Sequence, residues 1–190
     1  AFKNKGIQRL LDGIVHYLPS PADVPALVQT TGDEVLTRAP TEDAPFSALA
    51  FKIVADKHMG KLAFIRIYSG TLKAGTVVLN SSLKREQRVG RLLRMHANKQ
   101  EAVDEARCGD IVAIIGAADT RTGHTLCDIH DPIVLESIEF PAPVMSISVR
   151  PASNPDSEKM MAALHHLADE DPTFVVSVDE ETSETILSGM

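Results

Sequence analysis

Apolar positions first repeat along the chain with a helical period. In "AFKNKGIQRLLDGIVHYLPSP", Ile7, Leu10, Leu11, Ile14, Val15 and Leu18 recur at three- and four-residue spacing and form one apolar stripe. Pro19 and Pro21 cannot donate helical hydrogen bonds and stop the helix. A full stripe needs a partner surface, and an opening Ala without an initiator Met points to a cut piece of something longer. The next segment, "ADVPALVQTTGDEVLTRAPTEDAP", is polar, carries turn residues and lacks sustained periodicity. It predicts a linker over the surface to about Pro45.

From Phe46 the period shortens. "FSALAFKIVA", "KLAFIRIYSG", "GTVVLN", "QRVGRLLRM" and "GDIVAIIG" are short β-branched and aromatic runs, most of them separated by turn residues such as "HMG", "SGTLKAG" and "RTG". This spacing predicts a small closed antiparallel barrel over residues 46–139. "EFPAPV" marks a second boundary, because its prolines cannot sit inside a central strand. Beyond it Met145, Ile147 and Val149 alternate with Ser146 and Ser148, a strand with one buried face.

"NPDSEKMMAALHHLADEDP" carries the punctuation of a helix. Asn154 is placed to cap, Pro155 suits the first turn, and Asp156 and Glu158 complement the positive end of the dipole. Met160, Met161, Leu164 and Leu167 supply the buried stripe, and Pro172 ends it. "TFVVSV", the acidic turn "DEETSE" and "TILSG" then read as a hairpin. Strand, helix, strand, strand over 140–190 is part of a split βαβ, ferredoxin-like α+β domain, whose open sheet edge predicts self-association. The expected fold class is mostly β with α+β, preceded by a helix and linker over 1–45.

Composition narrows the function. No apolar run is long enough to span a bilayer, no signal peptide opens the chain, and Cys108 and Cys127 alone give no disulfide framework, which favours a reducing cytoplasm. A formal net charge of −7 argues against indiscriminate coating of nucleic acid, so any such contact must be local. Positive charge is nonetheless concentrated in "KREQRVGRLLRMHANKQE", residues 84–101. Counted by twos, Val89, Leu93 and Met95 point one way with Arg91, while Lys84, Arg88, Arg94 and His96 point the other way with Leu92. Either this is a solvated strand with scattered salt bridges, or its arginine forks meet phosphate oxygens.

Other candidate chemistry is thinner. No Gly-x-x-x-x-Gly-Lys-Ser/Thr phosphate loop occurs, so "NKQE" at Asn98 to Glu101, close to a guanine-reading Asn-Lys-x-Asp, is a decoy, and no catalytic or nucleotide site is expected here. His124, Cys127 and His130, with Cys108 as a fourth ligand, raise a freestanding zinc enzyme as the rival hypothesis. The bland alternative is buried cysteine with exposed histidine. His165 and His166 read as solvent-facing, and "ADED" and "DEET" as solvated charges. A generic single-stranded-RNA barrel is a third reading, but aromatic residues at 4% leave few stacking platforms.

Taken in one collinear order, "AFKNKGIQRLLDGIVHYLPSP", "PFSALAFKIVADKHMGKLAFIRIYSGTLKAG", "RVGRLLRMHANKQEAVDEARCGDIVAIIG", "TRTGHTLC", "LESIEFPAPV" and "LADEDPTFVVSVDEETSETILSGM" resemble the region of bacterial elongation factor G that follows its GTPase domain. The resemblance implies that the first helix closes the GTPase domain, that residues from Phe46 are domain II, the translation-factor barrel, and that those from about Phe140 are domain III. It implies a parent that uses GTP and Mg2+, with no cofactor held in this region, and that promotes translocation on the ribosome. The implied partners are small-subunit rRNA, a small-subunit protein and the other domains of the same chain. "DKHMGKL" brings over His58 and Lys61, and "RVGRLLRMH" brings over Arg88, Arg91, Arg94 and His96, as candidates for rRNA contact or for packing between domains. His124 stands where the family commonly shows an acid, "ASNPDSEKM" lacks the usual lysines of its turn, and Ser183 and Glu184 replace a common Gly-Gln pair. These departures leave room for a paralogue acting in ribosome recycling or ribosome protection.

Overall fold

The computed structural model describes residues 3–31, 34–56, 59–97, 99–135, 138, 140–151, 153, 156–180 and 182–190. Helix α1 (Ile7–Tyr17) forms where the apolar stripe requires it, and the amide of Leu18 closes its last turn on the Ile14 carbonyl. None of its residues is buried: Leu10, Leu11, Val15 and Leu18 are 55–76% exposed, so the stripe faces outward.

Residues 24–45 are more than a linker. Strands β1 (Leu27–Thr31) and β2 (Glu34–Arg38) pair antiparallel, Leu27 opposite Arg38 and Gln29 opposite Leu36. Leu27 and Leu36 pack against Cys127, Ile133 and Leu135. The Arg38 guanidinium, 6% exposed, donates to a carboxylate oxygen of Asp131 at 2.6 Å and to its carbonyl at 3.0 Å, and the Gln29 side-chain carbonyl accepts from the Val134 amide at 2.8 Å. The chain entering the barrel is thereby tied to the chain leaving it. No sequence periodicity announces this hairpin, because its stability comes from contacts about a hundred residues away rather than from its own pattern.

The barrel contains β3 (Ser47–Asp56), β4 (Gly60–Ser69), β5 (Thr71–Lys73), β6 (Val77–Asn80), β7 (Arg85–Arg88), β8 (Arg91–His96), β9 (Lys99–Val103), β10 (Glu105–Arg107), β11 (Ile111–Ile115) and β12 (Thr125–Cys127). Eight of them run β7-β6-β12-β3-β4-β11-β8-β9, and β10 pairs separately with β5. Every pairing in it is antiparallel. Ala48, Ala50 and Ile53 would alternate out of phase, but Ala50 opposes Ile65 and Lys52 opposes Phe64, leaving Phe51 as a bulge that returns Ile53 to the interior. Ile65, Ile67, Leu92, Val112, Ile114 and Leu126 fill that interior. A second cluster, Leu62, Leu93 and Ala113 with Phe64 and Met95, lies on the other face of the same strands.

The reading of "QRVGRLLRM" as one strand is corrected here. It breaks at Val89–Gly90 into β7, at one end of the strand order, and β8, next to last at the other. Main-chain bonds at the break tie the ends together: Gly75 N–H donates to Val89 O, Val89 N–H to Thr76 O and Gly90 N–H to Ile115 O, at 2.7–2.9 Å. Gly116, at φ 113°, lies under this corner, and a Cβ there would come within 2.7 Å of Arg88 O and 2.8 Å of Gly90 N. Only glycine permits that approach. Within β8 the count by twos keeps its grouping, with Leu93 and Met95 in the outer cluster and Leu92 opposite them in the barrel core, but Val89 lies with Leu92 in that core.

The second unit follows the expected order. Strand β13 (Met145–Val149), helix α2 (Ser157–Glu170) and strands β14 (Val175–Val178) and β15 (Thr185–Gly189) give the antiparallel sheet β13-β15-β14. Two packing expectations fail: Leu167 is 51% exposed on α2, and Met145 and Ile147 are 68% and 58% exposed on β13. The helix buries Leu164 only, so one helix is too little to cover the strand's apolar side. Asn154 and Pro155, expected to start the helix, lie outside the described residues.

Candidate nucleic-acid interface

The cations singled out from the sequence divide by what surrounds them. His58 lies outside the described residues. Lys84 adopts a left-handed turn conformation, φ 56°, between β6 and β7, and is exposed. Arg88 ends β7 and Arg91 begins β8, so the two flank the Val89–Gly90 corner, and both are exposed. His96 closes β8 opposite Lys99 and is exposed. None of these four forms an ion pair among the described residues. Their charge is therefore available to an anionic partner, at little desolvation cost to themselves.

Arg94 and Lys61 differ. Arg94 lies 3.5 Å from a carboxylate oxygen of Asp110, which answers in part which arginines pair with the acidic run after residue 100. Arg107 pairs with Glu105 of that run at 2.7 Å and, outside it, with Glu42 ahead of the barrel at 3.1 Å. Its charge is held up by the hydrogen bond to Glu105 first, then by the field of Glu42. Lys61, near the start of β4, is 21% exposed at the side chain and donates to Asp169 of α2 at 3.0 Å. This is a contact between the barrel and the helical unit.

The same junction gathers residues that periodicity did not select. Arg121, in the turn before β12, approaches the other oxygen of Asp169 at 3.7 Å, and Glu170 accepts from the Ala55 amide of β3 at 2.6 Å. Reading "ADED" as merely solvated charge is thus corrected at Asp169 and Glu170. Beside these contacts a cleft of about 430 Å³ is lined by Lys61, Arg85, Asp119, Arg121, His124 and Asp169. A neighbouring cleft of about 440 Å³ shares Arg121, His124 and Asp169 and continues to His165, Phe174 and Val175. Arg85 lies within the basic stretch but off its chosen alternation, and Arg121 sits in a "RTG" turn where no repeat exists to flag it. Only the tertiary fold brings them to Lys61.

His124 forms the base of both clefts. Its Nδ1 accepts from the Arg121 amide at 3.2 Å and faces the Asn80 side-chain amide at 3.2 Å. Burial, then the charges of Arg121 and Lys61, push its pKa below the usual histidine value, which favours the neutral ring that accepts at Nδ1. Cys127 is fully buried among Ile133 and Leu135, and burial raises its thiol pKa. Cys108 donates its Sγ hydrogen to the Tyr68 carbonyl, and His130 is exposed. These four do not converge, and no group of three metal-ligating side chains occurs among the described residues.

Lys99, Gln100 and Glu101 are exposed on β9, hydrogen-bonded along β8 as part of the barrel wall, and Asn98 lies outside the described residues. No helix among the described residues is long and apolar enough to cross a membrane.

Two family models match the chain. Residues 45–129 match Elongation factor G domain 2, and residues 140–190 match Elongation Factor G, domain III. A crystal structure of a protein from Thermus thermophilus superimposes with a TM-score of 0.73 at 27% sequence identity over 97% of this chain. The chain spans 26% of the length of that protein. Antiparallel barrel, split βαβ sheet and two consecutive family models agree, and the chain belongs to the elongation factor G family of translation factors, of which it carries domains II and III.

Proposed function

We propose that this chain is the ribosome-facing part of an elongation-factor-G-like translational GTPase that promotes GTP-dependent movement of tRNA and mRNA. In this reading residues 46–139 act as domain II against small-subunit rRNA. Residues 140–190 act as domain III beside a small-subunit protein, and α1 with the hairpin behind it closes onto the GTPase domain of the same polypeptide. The chain itself binds and positions, and GTP hydrolysis belongs to the GTPase domain. The observation that carries the proposal is the succession of the two family matches in one chain. The exposed Lys84, Arg88, Arg91 and His96, without ion pairs among the described residues, supply the phosphate-contacting side.

The test is co-sedimentation of the chain with small ribosomal subunits across a salt series. Specific binding above that to unrelated RNA is expected, weak because the avidity of the other domains is absent. Arg88→Gln with Arg91→Gln should lower the slope of log affinity against log salt by about 2, one for each lost phosphate contact. Equal retention of unrelated RNA, or an unchanged slope, overturns the assignment. His124, neutral at the interdomain cleft where relatives commonly carry an acid, favours a second reading, a paralogue acting in recycling or protection. Translocation assays with the intact polypeptide separate the two, because a paralogue leaves tRNA and mRNA in place.

A further inference from the structure

Carboxylates at the C-terminal end of α2 oppose the helix dipole, since Asp169, Glu170 and Asp171 follow one another there and the last turn holds no basic residue. Their placement makes sense only through what faces them across the cleft: Lys61 and Arg121 on the two oxygens of Asp169, and the Ala55 amide on Glu170. Arg85 lines the same cleft and forms no ion pair among the described residues. The cleft thus holds three cations, one of them without an ion pair among the described residues, and two carboxylates, Asp119 of its own wall and Asp169, which projects from another structural unit.

We propose that this cleft is a seat for an RNA phosphodiester and that Asp169 occupies it in the present conformation, so that RNA binding and docking of α2 on the barrel compete for Lys61 and Arg121. A phosphodiester matches the charge and the two anionic oxygens of a carboxylate, fits the arginine fork, and, not being tethered to α2, is free to engage Arg85 as well. The displaced contact is weak enough to exchange. Arg121 is 71% exposed at its side chain and Asp169 33%, and partly exposed pairs of this kind are worth about twofold to fivefold in an equilibrium. Lys84, Arg85, Arg88 and Arg91 continue from the cleft along one stretch of chain, which suits the repeated phosphates of RNA rather than the single group of a phosphopeptide. Releasing Asp169 also frees Glu170, its neighbour, from the Ala55 amide. Contact with RNA then loosens the helical unit from the barrel.

This rests on the rRNA reading above, and the test keeps the two apart. Binding of a fluorescein-labelled RNA duplex of about 16 base pairs to the 190-residue chain is measured by anisotropy for wild type, Asp169→Asn, Lys61→Gln, Arg121→Gln and Glu158→Gln. Asp169→Asn should bind about twofold to fivefold more tightly. Glu158→Gln removes the same charge from the exposed first turn of α2 and should change binding less. Lys61→Gln and Arg121→Gln should each weaken binding and reduce the salt slope by about 1. At saturating RNA the Ala55 amide should exchange with solvent faster, whereas a phosphopeptide at equal concentration should leave it unchanged. Equal tightening by Asp169→Asn and Glu158→Gln, or an Ala55 amide indifferent to bound RNA, overturns the competition while the rRNA reading stands. Absence of RNA binding by every variant at low salt overturns both, and faster exchange with the phosphopeptide alone reassigns the seat to a phosphoprotein.

Discussion

Replacing Gly116 by Ala tests how the cationic corner is held. The added Cβ would sit 2.7 Å from Arg88 O and 2.8 Å from Gly90 N, both main-chain atoms that cannot rotate away as a side chain could. The φ of 113° is itself unfavourable for Ala, costing on the order of 1–3 kcal/mol. Parting the corner would also stretch the Gly90 N–H to Ile115 O hydrogen bond, 2.7 Å long, and with Gly90 exposed and Ile115 half-buried its loss costs about 0.5–1.5 kcal/mol. Together these give roughly 1.5–4.5 kcal/mol, a large share of a stability of about 5–15 kcal/mol. Gly75→Ala is the internal control, because its φ of 82° carries the backbone strain while no atom lies within 4 Å of the new Cβ. Urea unfolding of the barrel should show a midpoint about 0.5 M lower for Gly116→Ala than for Gly75→Ala, taking a slope of about 2 kcal/mol per molar. The same variant should weaken RNA binding, since Arg88 and Arg91 flank the corner that moves. Equal midpoints for the two alanine variants would refute the steric argument and leave only backbone strain.

Lowering the pH tests His124. Its folded pKa is depressed, so below the unfolded value near 6.5 the unfolded chain takes up a proton that the folded chain refuses, and stability falls as pH drops from about 7 toward 5.5. His124→Gln should flatten that part of a thermal-melting pH profile. Asp131→Ala should cost about 1.5–3 kcal/mol, because it strips the charged partner from a buried guanidinium. Chemical denaturation reads the loss, and Arg38→Lys should also destabilise, since one ammonium cannot replace both the Nη2 that donates to Asp131 and the Nη1 that donates to the Thr37 carbonyl.

Legibility followed the range of the interactions. Helix α1, the strand runs of the barrel and the strand, helix, strand, strand order of the second unit were all readable, because each rests on local periodicity or on glycine and proline punctuation. The hairpin at Leu27 to Arg38 was not, since Leu27, Leu36 and Arg38 find their partners at Cys127, Asp131 and Ile133. The corner at Val89–Gly90 was hidden for a different reason. Val89, Leu93 and Met95 alternate as if continuous, and only the close approach of Gly116 shows that the chain turns there. Among the site residues, cationic character could be seen in the sequence, but pairing could not: Lys61 and Arg94 look no different from Arg88 and Arg91 until Asp169 and Asp110 are placed beside them. Arg85 and Arg121 belong to no repeat, so their meeting with Lys61 is a property of the fold alone.

The strap between Arg38 and Asp131, with Gln29 on the Val134 amide, has a mechanical meaning. The polypeptide enters the barrel and leaves it at a common anchorage, so the barrel behaves as a ring fitted with a single bracket rather than as a link pulled from two sides. Torque arriving along the α1 side reaches residues 131–135 directly, without deforming the strands in between. The two flanking units can thus be turned in concert while the barrel wall, with its exposed arginines, keeps its shape.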